Sequence, residues 1–139
     1  MKKIFQITFI ILLFSNPIQA KTQYLQEGIN LFKNKKFRKA QFKFEKDIVF
    51  NPRSELSYLY LSKIFKKLDK KKLQEQNLNT VILLNPKNEE AILHLAKLKL
   101  ENSDYKKSKE LNERLHSVCI NFCDESKKLE KEIDNLSQK

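Results

Sequence analysis

A 34-residue period constrains this chain more than any other feature. Asn51-Pro52 and Asn85-Pro86 stand 34 residues apart, each after an apolar run, Ile48 to Phe50 and Val81 to Leu84. Self-similarity at such a period signals stacked supersecondary units. Each Asn is expected to cap the following helix, and each Pro to sit in its first turn, where no amide partner is needed. Between these marks apolar residues recur at spacings of three and four, as amphipathic helices require. Tyr24, Gly28 and Leu31 line one helix, and Phe37, Ala40, Phe44 and Ile48 line its partner. Tyr58, Leu61 and Phe65 are followed by Leu78, Val81 and Ile82; then Ile92, Leu95 and Ala96 precede Tyr105, Ser108 and Leu115. Composition agrees, since one Gly and three Pro in 139 residues are too few for turn-rich β architectures.

The pattern resembles the tetratricopeptide repeat (TPR) family, whose 34-residue unit is a pair of antiparallel helices. In the first unit Tyr24 takes the bulky aromatic place and Gly28 the small place where helices come close. Leu31, Phe37, Ala40, Phe44 and Pro52 fill the other marks in order. The second unit keeps Tyr58, Leu61, Ser62, Phe65, Leu78, Val81 and Pro86, but has Gln74 where a small residue is usual. The third keeps Leu95, Ala96, Tyr105 and Ser108, with Ile120 at the place of the closing proline. Asp47, where a small residue should pack, is a further departure. The resemblance implies an all-α helical-hairpin solenoid, an α-α superhelix of about seven helices. Its repeats would span about 21–54, 55–88 and 89–122. A capping helix over about 124–137 follows, with Leu129, Ile133 and Leu136 on one apolar stripe, because arrays need their last face covered.

Residues 1–20 read as a signal peptide. Lys2 and Lys3 precede the apolar stretch Ile7 to Phe14; Ser15, Asn16 and Pro17 break it, and Ala20 supplies a small residue for cleavage. The stretch is well short of the roughly 20 residues that span a bilayer. Export to the periplasm or cell envelope is therefore expected, with secretion a secondary outcome. Two lysines leave with the leader, so 28 basic residues become 26 against 17 acidic ones, a net charge of +9. That balance favours acidic protein, anionic lipid or anionic glycan, and export argues against nucleic acid.

Cys119 and Cys123 straddle the turn between the third unit and the cap. An even pair in an exported chain reads first as a structural disulfide. A soft-metal or redox site is the other reading, but C-x-x-C spacing is absent. No enzyme is expected. His94 and His116 are the only histidines, no nucleophile–base–acid order appears, and a single glycine leaves no phosphate-cradling loop. No cofactor and no metal are expected.

The resemblance also implies a concave groove lined by the first helix of each unit. That face would hold Leu25, Ile29 and Phe32, then Leu59, Lys63 and Lys66, then Leu93, Lys97 and Leu100. Such a groove, apolar at one end and basic towards the middle, suits an extended or helical peptide with apolar and acidic residues. The Lys, Asn and Arg set with which some TPR domains clamp a terminal carboxylate is missing, since Leu25, Ile29, Tyr60, Glu90 and His94 stand there. A second expected surface is a lysine-rich edge. It would be built from Lys33, Lys35, Lys36, Arg38 and Lys39, then Lys66, Lys67, Lys70, Lys71 and Lys72, then Lys106, Lys107 and Lys109. An anionic membrane or cell-wall surface could dock there.

Overall fold

A computed structural model describes residues 17–137, with side chains from Gln23 onward. The expected leader lies outside the described residues up to Asn16. Among those residues are seven helices and no strand: α1 (Pro17–Lys33), α2 (Phe37–Phe50), α3 (Glu55–Lys67), α4 (Lys71–Leu84), α5 (Glu89–Glu101), α6 (Tyr105–Val118) and α7 (Cys123–Ser137). They fall into two compact units, one ending at Ser57 and one beginning at Tyr58, with the boundary inside α3.

In the first unit α1 packs along α2. Gly28 explains how closely, because a Cβ there would stand 2.7 Å from Cε1 of the fully buried Phe44 ring. Only hydrogen fits that space. Phe32 meets Phe37 edge-on with centroids 5.5 Å apart, closing the other end of the hairpin. Glu27 and Lys43 form an ion pair across it. Asp47, the departure from a small residue, is 1% exposed. The chain meets the cost of burying it with two hydroxyls, since Ser54 and Ser57 both donate to Asp47 Oδ2, the latter at 2.6 Å. Oδ1 is left buried with no hydrogen-bond partner among the described residues.

The second unit is built on one hydrophobic cluster. Leu59 of α3, Leu78 and Val81 of α4, Ile92 and Leu95 of α5, Leu115 of α6 and Leu129 and Ile133 of α7 all belong to it. Each such side chain contributes about 1.5–3 kcal/mol by leaving water. Where α5 and α6 cross, Ser108 Oγ donates to the Ala96 carbonyl at 2.9 Å, so two small residues let the backbones approach. The cap is fastened by polar groups as well. Asn112 Nδ2 donates to the Ser126 carbonyl at 3.0 Å, and Ser126 Oγ donates to Asn112 Oδ1 at 3.1 Å. Gln74, in place of a small residue, is nonetheless buried.

The 34-residue period reappears in the backbone at a place the sequence does not mark. Lys35, Asp69 and Ser103 all adopt positive φ, at 57°, 52° and 60°. Each follows the first helix of a hairpin and carries the same pair of bonds. Lys35 N–H reaches the Phe32 carbonyl and Lys36 N–H the Leu31 carbonyl, with the same pattern at Asp69–Lys70 and Ser103–Asp104. This is the Schellman closure, which usually uses glycine. None of the three is glycine, which is why the turn is silent in the sequence.

The expected roles of the Asn-Pro pairs need correction. Asn51 and Asn85 end the preceding helices rather than starting the next, with φ at −134° and −136°. The cause is the proline that follows, which drives the residue before it out of the helical region. The prolines lie in connecting turns, and α3 and α5 begin three residues later at Glu55 and Glu89. Asn88 is the residue that caps α5, accepting from Ala91 N–H at 2.8 Å. Cys119 occupies the matching position one period on and is likewise extended, with ψ at 140°. It is bonded to Cys123, the Cα atoms 5.3 Å apart. Closing so short a loop stabilises by about 2 kcal/mol on the chain-entropy account.

Two substitutions check this packing in opposite directions. Gly28→Ala should lower the unfolding free energy by about 1–3 kcal/mol despite alanine's better helix propensity, because the Phe44 ring cannot retreat. Lys35→Gly should raise it by up to about 1 kcal/mol by relieving the left-handed backbone. Urea unfolding followed by circular dichroism measures both, and a reversed sign in either case would contradict the geometry described.

Candidate functional site

The face shared by α3 and α5 in the second unit gathers four of the nine residues expected to bind, Lys63, Lys66, Lys97 and Leu100. On α5, Glu90, His94, Lys97 and Glu101 recur at four, three and four residues and so form one stripe. From α3, Lys63 Nζ lies 2.7 Å from Glu90 Oε1, and Lys66 Nζ lies 3.9 Å from Glu101 Oε1. Lys63 Nζ also stands 5.0 Å from the centre of the Tyr60 ring, a cation–π contact. His94 Nε2 sits 3.4 Å from the same Glu90 oxygen. Its Nδ1 is buried with no hydrogen-bond partner among the described residues.

Glu90 organises this stripe. The hydrogen bond from His94 foremost, then the hydrogen bond and charge of Lys63, hold its carboxyl at about 2, from an ordinary 4.5, against the opposing effect of burial. The stripe is consequently less basic than lysine spacing suggested. Lys63 and Lys66 both face carboxylates, although the second pair is exposed and weak. Lys97 differs, being half-buried with no carboxylate within ion-pair distance among the described residues. It is the uncompensated cation of this face.

Two residues expected to line the groove are buried instead. Leu59 and Leu93, expected to line it, are 4% and 3% exposed and belong to the core of the second unit. Apolar packing within that cluster outweighs display at the surface for both. Leu100 stays half-buried against that core, beside Lys97. Leu25, Ile29 and Phe32 are half-buried in the first unit. Glu90 and Glu101 are the residues that lysine spacing alone missed. Their signal was a glutamate on the next first helix, Glu90 two turns before the counterpart of Lys63 and Glu101 one residue after that of Lys66.

Glu89 acts at the disulfide loop instead. Its Oε2 accepts the N–H groups of Asn121 and Phe122 at 2.9 and 3.0 Å, so α5 holds the turn that Cys119 and Cys123 close. Its carboxyl is lowered, chiefly by backbone hydrogen bonding at Ile120. The lysines of the expected basic edge are exposed in each unit. Three of them have polar partners: Lys66 faces Glu101 as above, Lys107 pairs with Glu110 at 2.8 Å, and Lys71 reaches Asn102 Oδ1 at 3.4 Å. Among the described residues no three His, Cys, Asp or Glu side chains group as a metal site would need. No described helix is long and apolar enough to cross a membrane.

No protein-family model matches the sequence, and no curated protein does. Solved structures match the fold closely. The TPR domain of Arabidopsis OM64 is 19% identical with a TM-score of 0.76, over 86% of this chain and 98% of that one. The TPR2B domain of yeast Sti1, in a complex with pHsp70, is 15% identical with a TM-score of 0.78, over 85% and 98%. The Yersinia enterocolitica type III secretion chaperone SycD, in complex with a peptide of the translocator YopD, is 14% identical. Its TM-score is 0.75, over 85% of this chain and 94% of that one. The chain therefore has the TPR fold, an all-α helical-hairpin solenoid ending in a capping helix.

Replacing Glu90 tests its organising role. A carboxylate whose folded pKa is depressed stabilises above the ordinary value of 4.5, and the contribution is lost as pH falls toward about 2. Glu90→Gln should therefore cost about 1 kcal/mol at neutral pH, discounted for its partial exposure. The gap to wild type should close between those two pH values. A gap that persists at pH 2 would contradict the role.

Proposed function

We propose that this chain is a non-enzymatic protein-interaction scaffold of the periplasm or cell envelope. It binds an extended or helical peptide segment on the face shared by α3 and α5. The observation that carries this reading is Lys97. A half-buried cation without a carboxylate partner sits beside Leu100 on a stripe whose other lysines face glutamates. A ligand carboxylate would supply the missing charge, and an apolar neighbour on the ligand would cover Leu100. Structural relatives support the class of partner, since the Sti1 and SycD domains carry protein or peptide ligands in the complexes described. The partner's acidic character rests on Lys97 and on the chain's net positive charge. The envelope location rests on the leader read in residues 1–20.

Fluorescence polarisation against a peptide library graded in charge and apolar content tests the binding. Peptides with both acidic and apolar residues should bind best. Lys97→Glu should weaken them by at least about tenfold, while Lys131→Glu on α7 should leave them unchanged. Absence of binding by every peptide, or equal loss in both variants, would overturn the reading. Cell fractionation tests the location, which recovery in the cytosol would contradict.

A further inference from the structure

One face of the helix α2 is buried inside the first unit, and another leaves large apolar side chains exposed although Phe50 at its margin stacks on Tyr24 of α1. Ala40, Phe44 and Asp47 are buried against the rest of that unit. On the opposite side Phe42, Val49 and Phe50 are 54%, 74% and 57% exposed. Helical spacing sets Arg38, Lys39, Phe42, Lys46, Val49 and Phe50 on that outer side, with one exposed acid, Glu45, at its margin beside Gln41. Cations are interleaved with the rings. Lys46 Nζ lies 4.6 Å from the centre of Phe42 and 5.5 Å from that of Tyr24, which in turn stacks on Phe50 at 5.7 Å. Arg38 and Lys39 are exposed at its N-terminal end, next to Lys35 and Lys36.

Such a face has little reason to be so apolar in water alone. A second copy of the chain is a poor occupant, because a two-fold contact through this face would gather two copies each of Arg38, Lys39 and Lys46 into one apolar interface with only the two copies of Glu45 to answer them. An anionic lipid bilayer meets both demands of the face. Rings and a valine side chain enter the boundary between headgroups and acyl chains, while long cationic side chains extend back to the phosphates. We propose that the outer face of α2 docks on an anionic phospholipid membrane surface, with Phe42, Val49 and Phe50 inserted and Arg38, Lys39 and Lys46 on the headgroups. This surface is separate from the peptide face of α3 and α5 and stands whether or not that face binds.

The full chain carrying a nitroxide on Val49→Cys, with the Cys119–Cys123 bond left closed, provides the test. It is mixed with vesicles of phosphatidylcholine alone or with about 30 mol% phosphatidylserine. Power saturation reads the accessibility of the label to oxygen and to a water-soluble nickel complex. On anionic vesicles the label should lose nickel and gain oxygen accessibility, whereas a label on Lys131→Cys should not. Arg38→Glu with Lys39→Glu should lower the inserted fraction by at least about tenfold, as should high salt. Circular dichroism checks that each variant is folded, and Phe42→Cys offers a second label position if the first disturbs α2. A label at Val49→Cys that stays water-exposed on anionic vesicles overturns the proposal. So does an equal response at Lys131→Cys, which would assign the binding to another part of the chain. Shielding that grows with protein concentration in the absence of vesicles also overturns it, in favour of a second copy.

Discussion

Everything in this chain depends on its reversal of direction once every 34 residues at a left-handed residue. Lys35, Asp69 and Ser103 each close the end of a hairpin's first helix with the same two backbone bonds. Each spends about 1 kcal/mol of strain that glycine would avoid. The strain persists because the helices on either side are held by apolar contact. Gly28 lets α1 approach Phe44, and the Ala96–Ser108 contact does the same for α5 and α6. Once the turns are fixed, the first helices present one face to packing and leave another for polar and charged groups.

Much of this architecture was legible because it rests on residue size and spacing. Small residues at 28 and 96 and aromatic or aliphatic residues around them encode the hairpins directly. The ends of the helices were harder to read. Asn51-Pro52 looks like a helix start, yet the proline constrains the residue before it more than it favours a helix after it, so Asn51 is an end. The left-handed turns were invisible, since Lys, Asp and Ser advertise nothing about φ. The disulfide was legible from cysteine parity and the turn between them, and the structure places the two Cα atoms 5.3 Å apart.

The candidate site was only half legible, for an electrostatic reason. Helical spacing picked out Lys63, Lys66 and Lys97, but periodicity within one helix says nothing about charges on its neighbour. Glu90 and Glu101 answer two of those lysines, leaving Lys97 as the cation with unspent charge. Leu59 and Leu93 failed as groove residues because a helix with a wide apolar stripe buries its margins too. Asp47 shows the converse. A carboxylate where a small residue belongs survives in the core because Ser54 and Ser57 were close enough in sequence to bond it. The resulting molecule combines the TPR fold with a charge arrangement that the fold itself does not dictate.

The central claim is that ligand recognition lies on the α3–α5 stripe and turns on Lys97. Amide chemical-shift mapping of the isotope-labelled chain with an acidic, leucine-containing peptide tests it most directly. The account predicts that shifts concentrate at Lys63, Glu90, His94, Lys97 and Leu100. Shifts confined to the outer sides of α4 and α6, or none at saturating peptide, would contradict it.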